Sequence, residues 1–351
     1  MSDPLEIAGV KIGPGESKRL ELPSVRLYTD TSMGIPVFVT RGKRPGPTLF
    51  VSAAIHGDEL NGVEIIGRLL KSKSVKKLRG TLISVPIVNV YGVLNQSRYL
   101  PDRRDLNRSF PGSSRGTFAG RVANLFLQEI VSKCDYGIDL HTGAIHRSNL
   151  PQVRANLDDD ETREMARAFG VSVMVNSNLR DGSLRQSASE LGVKILLYEA
   201  GEALRFDELS IRAGYRGVIN VMRQLGMITK ARKKSPVEPF EARQSVWVRA
   251  SESGFISHLK ELGDYVSKGD ELAIIKDPYG EVLNSVVTKY EGIIIGKQNI
   301  PLVQEGEALY HIAYFKKPDG VMESLETMQD YLIPEDTTDP LSDSPSSLAR
   351  D

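Results

Sequence analysis

Histidine and carboxylate side chains stand at the ends of three apolar segments of this 351-residue chain. His56 ends the apolar run TLFVSAAIH, and Glu59 follows three residues later. His141 follows the run YGIDL, and Glu199 follows the run KILLY. Two imidazoles and one carboxylate that leave a fourth position open are typical of a catalytic Zn²⁺ site. Two ligands close in sequence and a third far downstream therefore indicate His56, Glu59 and His141 as metal ligands.

The pair of His56 and Glu59 also has a purely structural interpretation. In that alternative His56 ends a strand, and Glu59 places a negative charge at a helix N-terminus, where such a charge is favourable. The other two segments favour the metal site, because open α/β sheets bind ligands at the carboxyl ends of their parallel strands. Three strands that bring His, His and Glu to one edge are a stronger indication than the pair alone.

Two carboxylates near the predicted ligands have predicted roles of their own. Glu199 is the candidate for the group that accepts a proton from water and then donates it to the leaving nitrogen. Asp139 lies two residues before His141 and on the same face of the strand. There it either orients the imidazole of His141 or bonds to backbone amides, and the sequence leaves both open.

The remaining histidines are weaker candidates. His146 lies in the loop after the strand that carries His141, so it is the rival for the third ligand. His258 and His311 belong to the C-terminal part of the chain, where we expect surface or packing roles.

An arginine-rich segment, NQSRYLPDRRDLNRSFPGS at residues 95–113, follows another predicted strand. Its content of Arg, Asn and Pro predicts an ordered loop at the same edge of the sheet. Guanidinium groups beside a metal site favour bidentate recognition of a substrate carboxylate. We expect about two of the four arginines to be functional and the others to be ordinary solvated charges: Arg98, Arg103, Arg104 and Arg108.

Four regions are predicted along the chain. Residues 1–45 form short strands that pack on the next region. In residues 46–235 apolar runs alternate with helical patterns, which predicts an α/β fold with a mixed, mostly parallel sheet flanked by helices. Residues 236–316, which follow a charged, proline-containing linker, form a glycine-rich all-β barrel or sandwich. Residues 317–351 form a tail that is expected to be disordered from about residue 334.

Composition excludes several classes of partner. Lys plus Arg and Asp plus Glu both total 45, so zero net charge gives no reason to expect nucleic acid or an anionic membrane surface. A single cysteine, Cys134, excludes an intramolecular disulfide. The sequence shows no signal peptide and no apolar run near the ~18 residues that span a bilayer. We therefore expect a cytoplasmic protein.

Four motifs in the order HGDE, DLNRSFPG, DLHTG and YEAGE resemble the succinylglutamate desuccinylase/aspartoacylase family. The resemblance covers roughly residues 30–315, and it implies a zinc-dependent amidohydrolase with a carboxypeptidase A-type fold. It implies that one Zn²⁺ is bound by His56, Glu59 and His141 and that Glu199 is the general base and acid.

The resemblance also implies substrate-binding residues. Asn107 and Arg108 match the pair that holds the substrate's α-carboxylate, and Arg98 matches the arginine that polarises the scissile carbonyl. The spacer PDRR is slightly longer than is usual in the family. Arg103 or Arg104 is therefore an alternative to Arg98 for this role.

The C-terminal region is expected to be a wall or lid of the pocket, because family members carry a β domain beside the active site. The segment SGFISHLKELGDYVSKGDELAIIKD also resembles a biotinyl/lipoyl-type barrel, but Lys276 and Lys289 lack the flanking residues of a carrier lysine. Either Tyr290 or Tyr310 is a candidate to reach the site, and the sequence does not choose between them.

Three functions compete at this point. The favoured one is a deacylase of an N-acyl amino acid or a similar small carboxylate. A metallocarboxypeptidase acting on peptides is the alternative, and a non-catalytic binding or carrier protein is the third. The intact set of metal-ligand and proton-transfer residues opposes the last function. The sequence leaves the acyl group open, and a homo-oligomer is compatible with it.

Overall fold

The computed structural model describes residues 4–177, 180–229 and 239–314, and their elements alternate as the apolar runs predict. The first ten strands are β1 (Leu5–Ile7), β2 (Val10–Ile12), β3 (Ser17–Pro23), β4 (Gly34–Arg41), β5 (Thr48–Ala53), β6 (Thr81–Val85), β7 (Tyr136–Gly143), β8 (Arg147–Ala155), β9 (Val173–Asn176) and β10 (Lys194–Glu202). The helices are α1 (Asn61–Lys71), α2 (Val90–Leu94), α3 (Phe118–Glu129), α4 (Asp160–Phe169), α5 (Leu184–Glu190) and α6 (Glu208–Gln224), with 3₁₀ turns at Val75–Lys77, Leu106–Arg108 and Val131–Lys133. The C-terminal strands are β11 (Phe240–Ala242), β12 (Gln244–Arg249), β13 (Gly254–His258), β14 (Tyr265–Val266), β15 (Glu271–Lys276), β16 (Val282–Val287), β17 (Gly292–Gln298), β18 (Leu302–Val303) and β19 (Ala308–Tyr314).

Thirteen of the described strands form one large mixed sheet. Its main path has the order β12-β19-β17-β8-β10-β7-β5-β6-β4-β3, and β9, β11 and β14 pair beside it. The mixed α/β fold predicted from the sequence is therefore confirmed.

The prediction of a mixed, mostly parallel sheet within residues 46–235 is confirmed, since four of the pairings described there are parallel and one is antiparallel. Over the whole large sheet, five pairings are parallel and seven are antiparallel. Parallel pairing holds in the centre, where helices connect β5, β6, β7 and β10. The N-terminal hairpin and the C-terminal strands extend this centre on both sides by antiparallel pairing.

Both faces of the central sheet are covered by helices. Strand β5 shows this directly, since Leu49 and Val51 lie in one apolar cluster and Phe50 lies in the other. The first cluster contains side chains of α1, α4 and α6, and the second contains side chains of α2, α3 and α5. Because successive strand residues face opposite sides, a strand buried on both sides appears in the sequence as a continuous apolar run.

The C-terminal strands combine two sheets around a cluster of their own. Strands β16, β15, β13 and β18 form a separate four-stranded sheet, and a third apolar cluster is shared by residues such as Ile256, Leu272 and Ile312. Strand β17 pairs with β8, so the large sheet continues from the central strands into this region. The four predicted regions remain a prediction; the linker's centre and the tail at 317–351 lie outside the described residues.

Strand β8 and helix α5 are among the elements that the sequence pattern does not predict. Strand β8 contains Pro151 and several polar residues, and the short helix α5 follows a segment with no clear helical period. A proline is disfavoured inside a sheet because it donates no hydrogen bond. Both elements border the site described below.

None of the helices in the described part of the chain is both long enough and apolar enough to cross a membrane.

Candidate active site

The turn between β5 and α1 carries His56 and Glu59. The backbone N–H of Glu59 donates to the carbonyl oxygen of His56 over 3.2 Å, which closes the turn. A side chain at Gly57 has no room here, because an added Cβ would lie 2.0 Å from the carbonyl carbon of Gly92. Glycine therefore permits the close backbone approach that keeps both side chains on one side of the turn.

His56, Glu59 and His141 form a compact buried cluster. Their exposed fractions are 3%, 2% and 3%. The Nδ1 atom of His56 lies 2.7 Å from Oε1 of Glu59, and the Nδ1 atom of His141 lies 2.8 Å from Oε2. One ligand atom from each residue lies within 4.8 Å of the other two. The structure thus brings together the three residues that the sequence indicated as metal ligands.

The outer nitrogen of each imidazole faces a second carboxylate. Nε2 of His141 lies 2.7 Å from Oδ2 of Asp139, and Nε2 of His56 lies 3.2 Å from Oδ1 of Asp105. Ser52 donates a hydrogen bond of 2.7 Å to the other oxygen of Asp139. Histidines that bind metals usually donate their outer N–H to a carboxylate in this way, which fixes the tautomer and the ring orientation.

This arrangement requires positive charge between the imidazoles and Glu59. Burial disfavours charge on both rings, but the neighbouring carboxylates outweigh it and raise the pKa of His56 and of His141. Burial also opposes ionisation of Glu59, yet the two histidines hold its pKa well below the usual range. With Nε2–H committed to Asp105 and Asp139, each Nδ1 faces a carboxylate oxygen through either a proton or a cation. A divalent ion such as Zn²⁺ fits this donor set, because His nitrogen and carboxylate oxygen are both among its ligands.

Glu199 lies beside the cluster on the neighbouring strand. In the parallel pair of β10 and β7, Glu199 stands directly opposite His141. Nδ2 of Asn149, on β8, donates to Oε2 of Glu199 over 2.7 Å and holds the carboxylate at the pocket wall. The described metal-binding group does not include Glu199, in agreement with its separate predicted role.

The arginine-rich segment places Arg98 at the cluster. Its guanidinium lies 3.3 Å from Oε1 of Glu59 and 3.0 Å from Oδ2 of Asp105. Arg103 and Arg104 are exposed and do not line the pocket. By position, Arg98 is therefore the one of these three that can act on a bound substrate.

Asn107 and Arg108 follow on the 3₁₀ turn and both line the pocket. The side chain of Asp105 accepts a hydrogen bond of 2.8 Å from the Asn107 N–H and so caps the turn. The Oδ1 atom of Asn107 accepts from the N–H of Leu184 over 2.9 Å, which ties the turn to the start of α5. These contacts fix the backbone that presents Arg108.

Other candidates from the sequence lie elsewhere, with one exception. His146 is exposed and is not part of the described metal-binding group. His258 bonds to Tyr310 within the C-terminal strands, and neither Tyr310 nor Tyr290 lines the pocket. The exception is His311, which was expected to have a surface or packing role but lines the pocket wall.

The cluster opens into a pocket of about 710 Å³ whose lining is rich in arginine. Three of its residues come from the C-terminal strands β12 and β19: Ser245, Trp247 and His311. Three carboxylates line it: Glu59, Asp181 and Glu199. Six arginines line it: Arg98, Arg108, Arg147, Arg154, Arg180 and Arg185. The pocket therefore favours an anionic ligand.

Several of these residues were missed from the sequence. Arg147, Asn149 and Arg154 lie on the unpredicted strand β8, and Arg185 lies on the unpredicted helix α5. Asp105 is the first residue of the DLNRSFPG motif, and the sequence predicts no role for it. The signal that could have found it is its place two residues before Asn107, where Asp commonly caps a turn.

Comparisons with known proteins show the family to which the central part of the chain is similar. The family model for the succinylglutamate desuccinylase/aspartoacylase catalytic domain matches residues 45–225. A curated relative, the N-alpha-acetyl-L-2,4-diaminobutyric acid deacetylase of Halomonas elongata, is 29% identical over 255 residues, which are 69% of this chain and 74% of that protein.

Solved structures share the fold. The product-bound ectoine utilization protein EutE (DoeB) from Ruegeria pomeroyi superimposes with a TM-score of 0.79 at 24% identity, over 90% of this chain and 100% of that chain. A succinylglutamate desuccinylase/aspartoacylase from Rhodobacter sphaeroides gives a TM-score of 0.75 at 24% identity, over 85% of this chain and 96% of that chain. Because the family model spans more than half of the sequence, the chain belongs to the succinylglutamate desuccinylase/aspartoacylase family.

Proposed function

We propose that this chain is a zinc-dependent amidohydrolase that cleaves the acyl group from an N-acyl amino acid or a similar small carboxylate. The observation that carries the proposal is the buried cluster of His56, Glu59 and His141, with a carboxylate behind each imidazole. Membership of a family whose relatives are named deacetylases and desuccinylases supports an amide-bond deacylase. A carboxypeptidase A-type arrangement of the catalytic sheet is part of the same proposal.

The chain's own residues would supply orientation, charge and proton transfer. Zn²⁺, when bound, lowers the pKa of water and polarises a carbonyl group. Glu199 accepts the proton that the attacking water loses and donates one to the leaving nitrogen. Asn149 holds one oxygen of Glu199, which leaves the other oxygen for this transfer.

The arginines would bind and polarise the substrate. Arg108, supported by the anchored turn at Asn107, forms charge-assisted hydrogen bonds with the α-carboxylate. Arg98 adds positive charge beside Glu59, where negative charge develops on the carbonyl oxygen during the reaction. Arg98 thereby serves the transition state more than the ground state, which is the requirement for raising the rate.

The shape of the pocket favours small substrates over peptides. Ser245, Trp247 and His311 place a wall from the C-terminal strands beside the cluster. An extended peptide needs an open groove, whereas residues of the C-terminal strands line this pocket together with the cluster. The C-terminal region, predicted at 236–316, would thus act as a wall rather than as a carrier of a cofactor.

A combined metal and substrate assay tests the proposal. Purified protein should contain about one Zn²⁺ per chain, and zinc-loaded protein should release free amine from at least one member of a panel of N-acyl amino acids. Glu199→Gln should keep the metal and lose turnover, whereas the surface control Glu164→Gln, 58% exposed at its side chain, should keep both. Absence of bound zinc, or full turnover by Glu199→Gln, would contradict the proposal.

A further inference from the structure

Asn61 is a buried polar residue that does not line the pocket. It is the first residue of α1, two positions after Glu59, and its exposed fraction is 1%. Its Nδ2 donates to the carbonyl oxygen of Ala200 over 3.2 Å, and its Oδ1 accepts from the backbone N–H of Asp207 over 3.0 Å. Because a buried polar group without a partner is costly, these two contacts fix the carboxamide in one orientation.

The contact with Ala200 lies next to Glu199. Glu199 pairs with His141 on β7 and with Gln152 on β8, but both pairings of β10 shift in register directly after it. Such irregularities in a sheet can re-aim a side chain, and they are frequent beside active sites. Since the regular ladders are interrupted at this point, the hydrogen bond from Asn61 helps to fix the backbone that presents Glu199.

Two glycines permit the close approach of α1 and the end of β10. Gly201 has a φ of +75°, a conformation that favours glycine, and an added Cβ would lie 2.5 Å from Nδ2 of Asn61. At Gly62, an added Cβ would lie 2.6 Å from the Cβ of Ala53 on β5. Asn61 therefore projects from a helix that is packed tightly on the sheet towards a strand end that leaves space for its amide group.

A backbone hydrogen bond joins the same two segments. The N–H of Leu204 donates over 2.7 Å to the carbonyl oxygen of Asp58, which belongs to the turn between β5 and α1. Asp207, the second partner of Asn61, is the N-cap residue of α6. The turn with the predicted metal ligands and the first residue of α1 are therefore tied at three points to the residues that follow Glu199.

We propose that Asn61 is a positioning residue that holds the end of β10, and with it the carboxylate of Glu199, against the turn that carries the metal ligands. Asn149 bonds to the carboxylate itself from the side of β8, whereas Asn61 fixes the backbone from the side of α1. A displacement of a reacting group by about 1 Å can cost about 100-fold in rate. The effect on catalysis rests on the proposed function, but the link between the two segments does not.

Hydrogen exchange of the metal-free, full-length protein tests the link without catalysis. Asn61→Leu keeps the approximate size of the side chain and removes both of its hydrogen bonds. The backbone amide of Leu204, whose acceptor is Asp58 rather than Asn61, should exchange at least about tenfold faster in this variant. The amide of Val218, a buried residue in the interior of α6, should keep its protection and serves as the check of folding.

A second variant breaks the same contact from the other side. In Gly201→Ala the methyl group displaces the carboxamide of Asn61, so the amide of Leu204 should again exchange faster. Gly226→Ala is the matched control, because its φ of +69° imposes similar backbone strain while no described atom lies within 4 Å of the added Cβ. If neither Asn61→Leu nor Gly201→Ala accelerates the exchange of Leu204 beyond this control, Asn61 does not hold the strand end.

Steady-state kinetics distinguishes positioning of Glu199 from general support of the fold. With an N-acyl amino acid that the parent protein cleaves, Asn61→Leu should lower kcat about 10- to 100-fold. KM should change by less than about twofold, because the predicted substrate-binding residues Asn107 and Arg108 lie on a different turn. The control Asn220→Leu, whose carboxamide accepts from Arg223 on the outer part of α6, should match the parent protein in both constants.

The zinc content completes this comparison. Asn61→Leu should still bind about one Zn²⁺ per chain, since the three predicted ligands are not changed. Loss of zinc, a rise of KM as large as the fall of kcat, or an unchanged kcat would each overturn the positioning role. If the parent protein cleaves no substrate, the proposed function fails, while the exchange of Leu204 still decides whether Asn61 holds the end of β10.

Discussion

Replacement of Asp139 by Asn should weaken metal binding without unfolding the site. Asn can keep an oxygen towards Nε2 of His141, and its amide can donate to Ser52, whose hydroxyl can also accept. The shape of the buried network is therefore conserved, and only the negative charge behind His141 is lost. That charge makes the imidazole more basic and a better ligand.

The structure sets the size of the effect. Loss of such an outer partner typically costs 10- to 100-fold in metal affinity, which corresponds to about 1.4–2.8 kcal/mol. Asp139 lies 2.7 Å from Nε2 of His141 and its side chain is 1% exposed, so the upper end is expected. Asp105 lies 3.2 Å from Nε2 of His56 and is 15% exposed, so Asp105→Asn should cost nearer tenfold.

Competition against a chromophoric zinc chelator measures both affinities, with circular dichroism as the check of folding. The surface variant Asp160→Asn, at a side chain 92% exposed, serves as the control and should bind zinc like the parent protein. If the zinc affinity of Asp139→Asn is within about twofold of that of the control, the carboxylate at Nε2 of His141 does not strengthen this histidine as a metal ligand.

Three further predictions concern the rest of the site. Asn149→Leu removes the hydrogen bond that holds the Glu199 carboxylate and should lower kcat about tenfold. Steady-state kinetics measures kcat, and metal analysis should show an unchanged zinc content. An unchanged kcat would mean that Asn149 does not position Glu199. Gly57→Ala forces a methyl group against the backbone of Gly92 and should cost about 1–3 kcal/mol in urea unfolding, whereas Gly67→Ala, with its nearest contact at 3.9 Å, should not destabilise. The pKa values of His56 and His141 are raised in the metal-free protein. The protonated histidines therefore contribute fully to the stability of the fold below the pKa of histidine in the unfolded chain. This contribution is lost as the pH rises through their higher pKa values in the folded protein. Zinc uptake near neutral pH should accordingly release up to two protons per ion, and fewer as the pH rises. Calorimetry in buffers of different ionisation enthalpy measures the number of protons released. A release of zero at every pH from about 6 to 9 would contradict this prediction.

The cluster of His56, Glu59 and His141 could be predicted because its positions are encoded locally. Each central strand is buried on both faces, so it appears in the sequence as a continuous apolar run. His56, His141 and Glu199 stand at the ends of such runs and are therefore easy to recognise. Parallel strands then bring those ends to one edge, a general property that needs no knowledge of this particular chain.

The far wall of the pocket was not predictable in the same way. Strand β8 contains Pro151 and polar residues that face the pocket, so it lacks the apolar pattern of a buried strand. Its ladder depends on β10 and β17, which are about 50 and 150 residues away in sequence. His311 was expected to have a surface or packing role for the same reason, since only the pairing of β17 with β8 brings its strand to the pocket.

The continuous sheet at β8 and β17 has a consequence for how the substrate range of this enzyme can change. The wall is joined to the catalytic strands by backbone hydrogen bonds, such as those around the pair of Gly296 and Asn149, and these do not depend on side-chain identity. Alternate positions of β12, Ser245 and Trp247, present their side chains to the pocket. Single substitutions at such positions can alter the ligand surface while the strand register stays fixed. The pairing of β17 with β8 thus separates the strands that carry His56, His141 and Glu199 from a wall that can be redesigned, one side chain at a time, for new ligands.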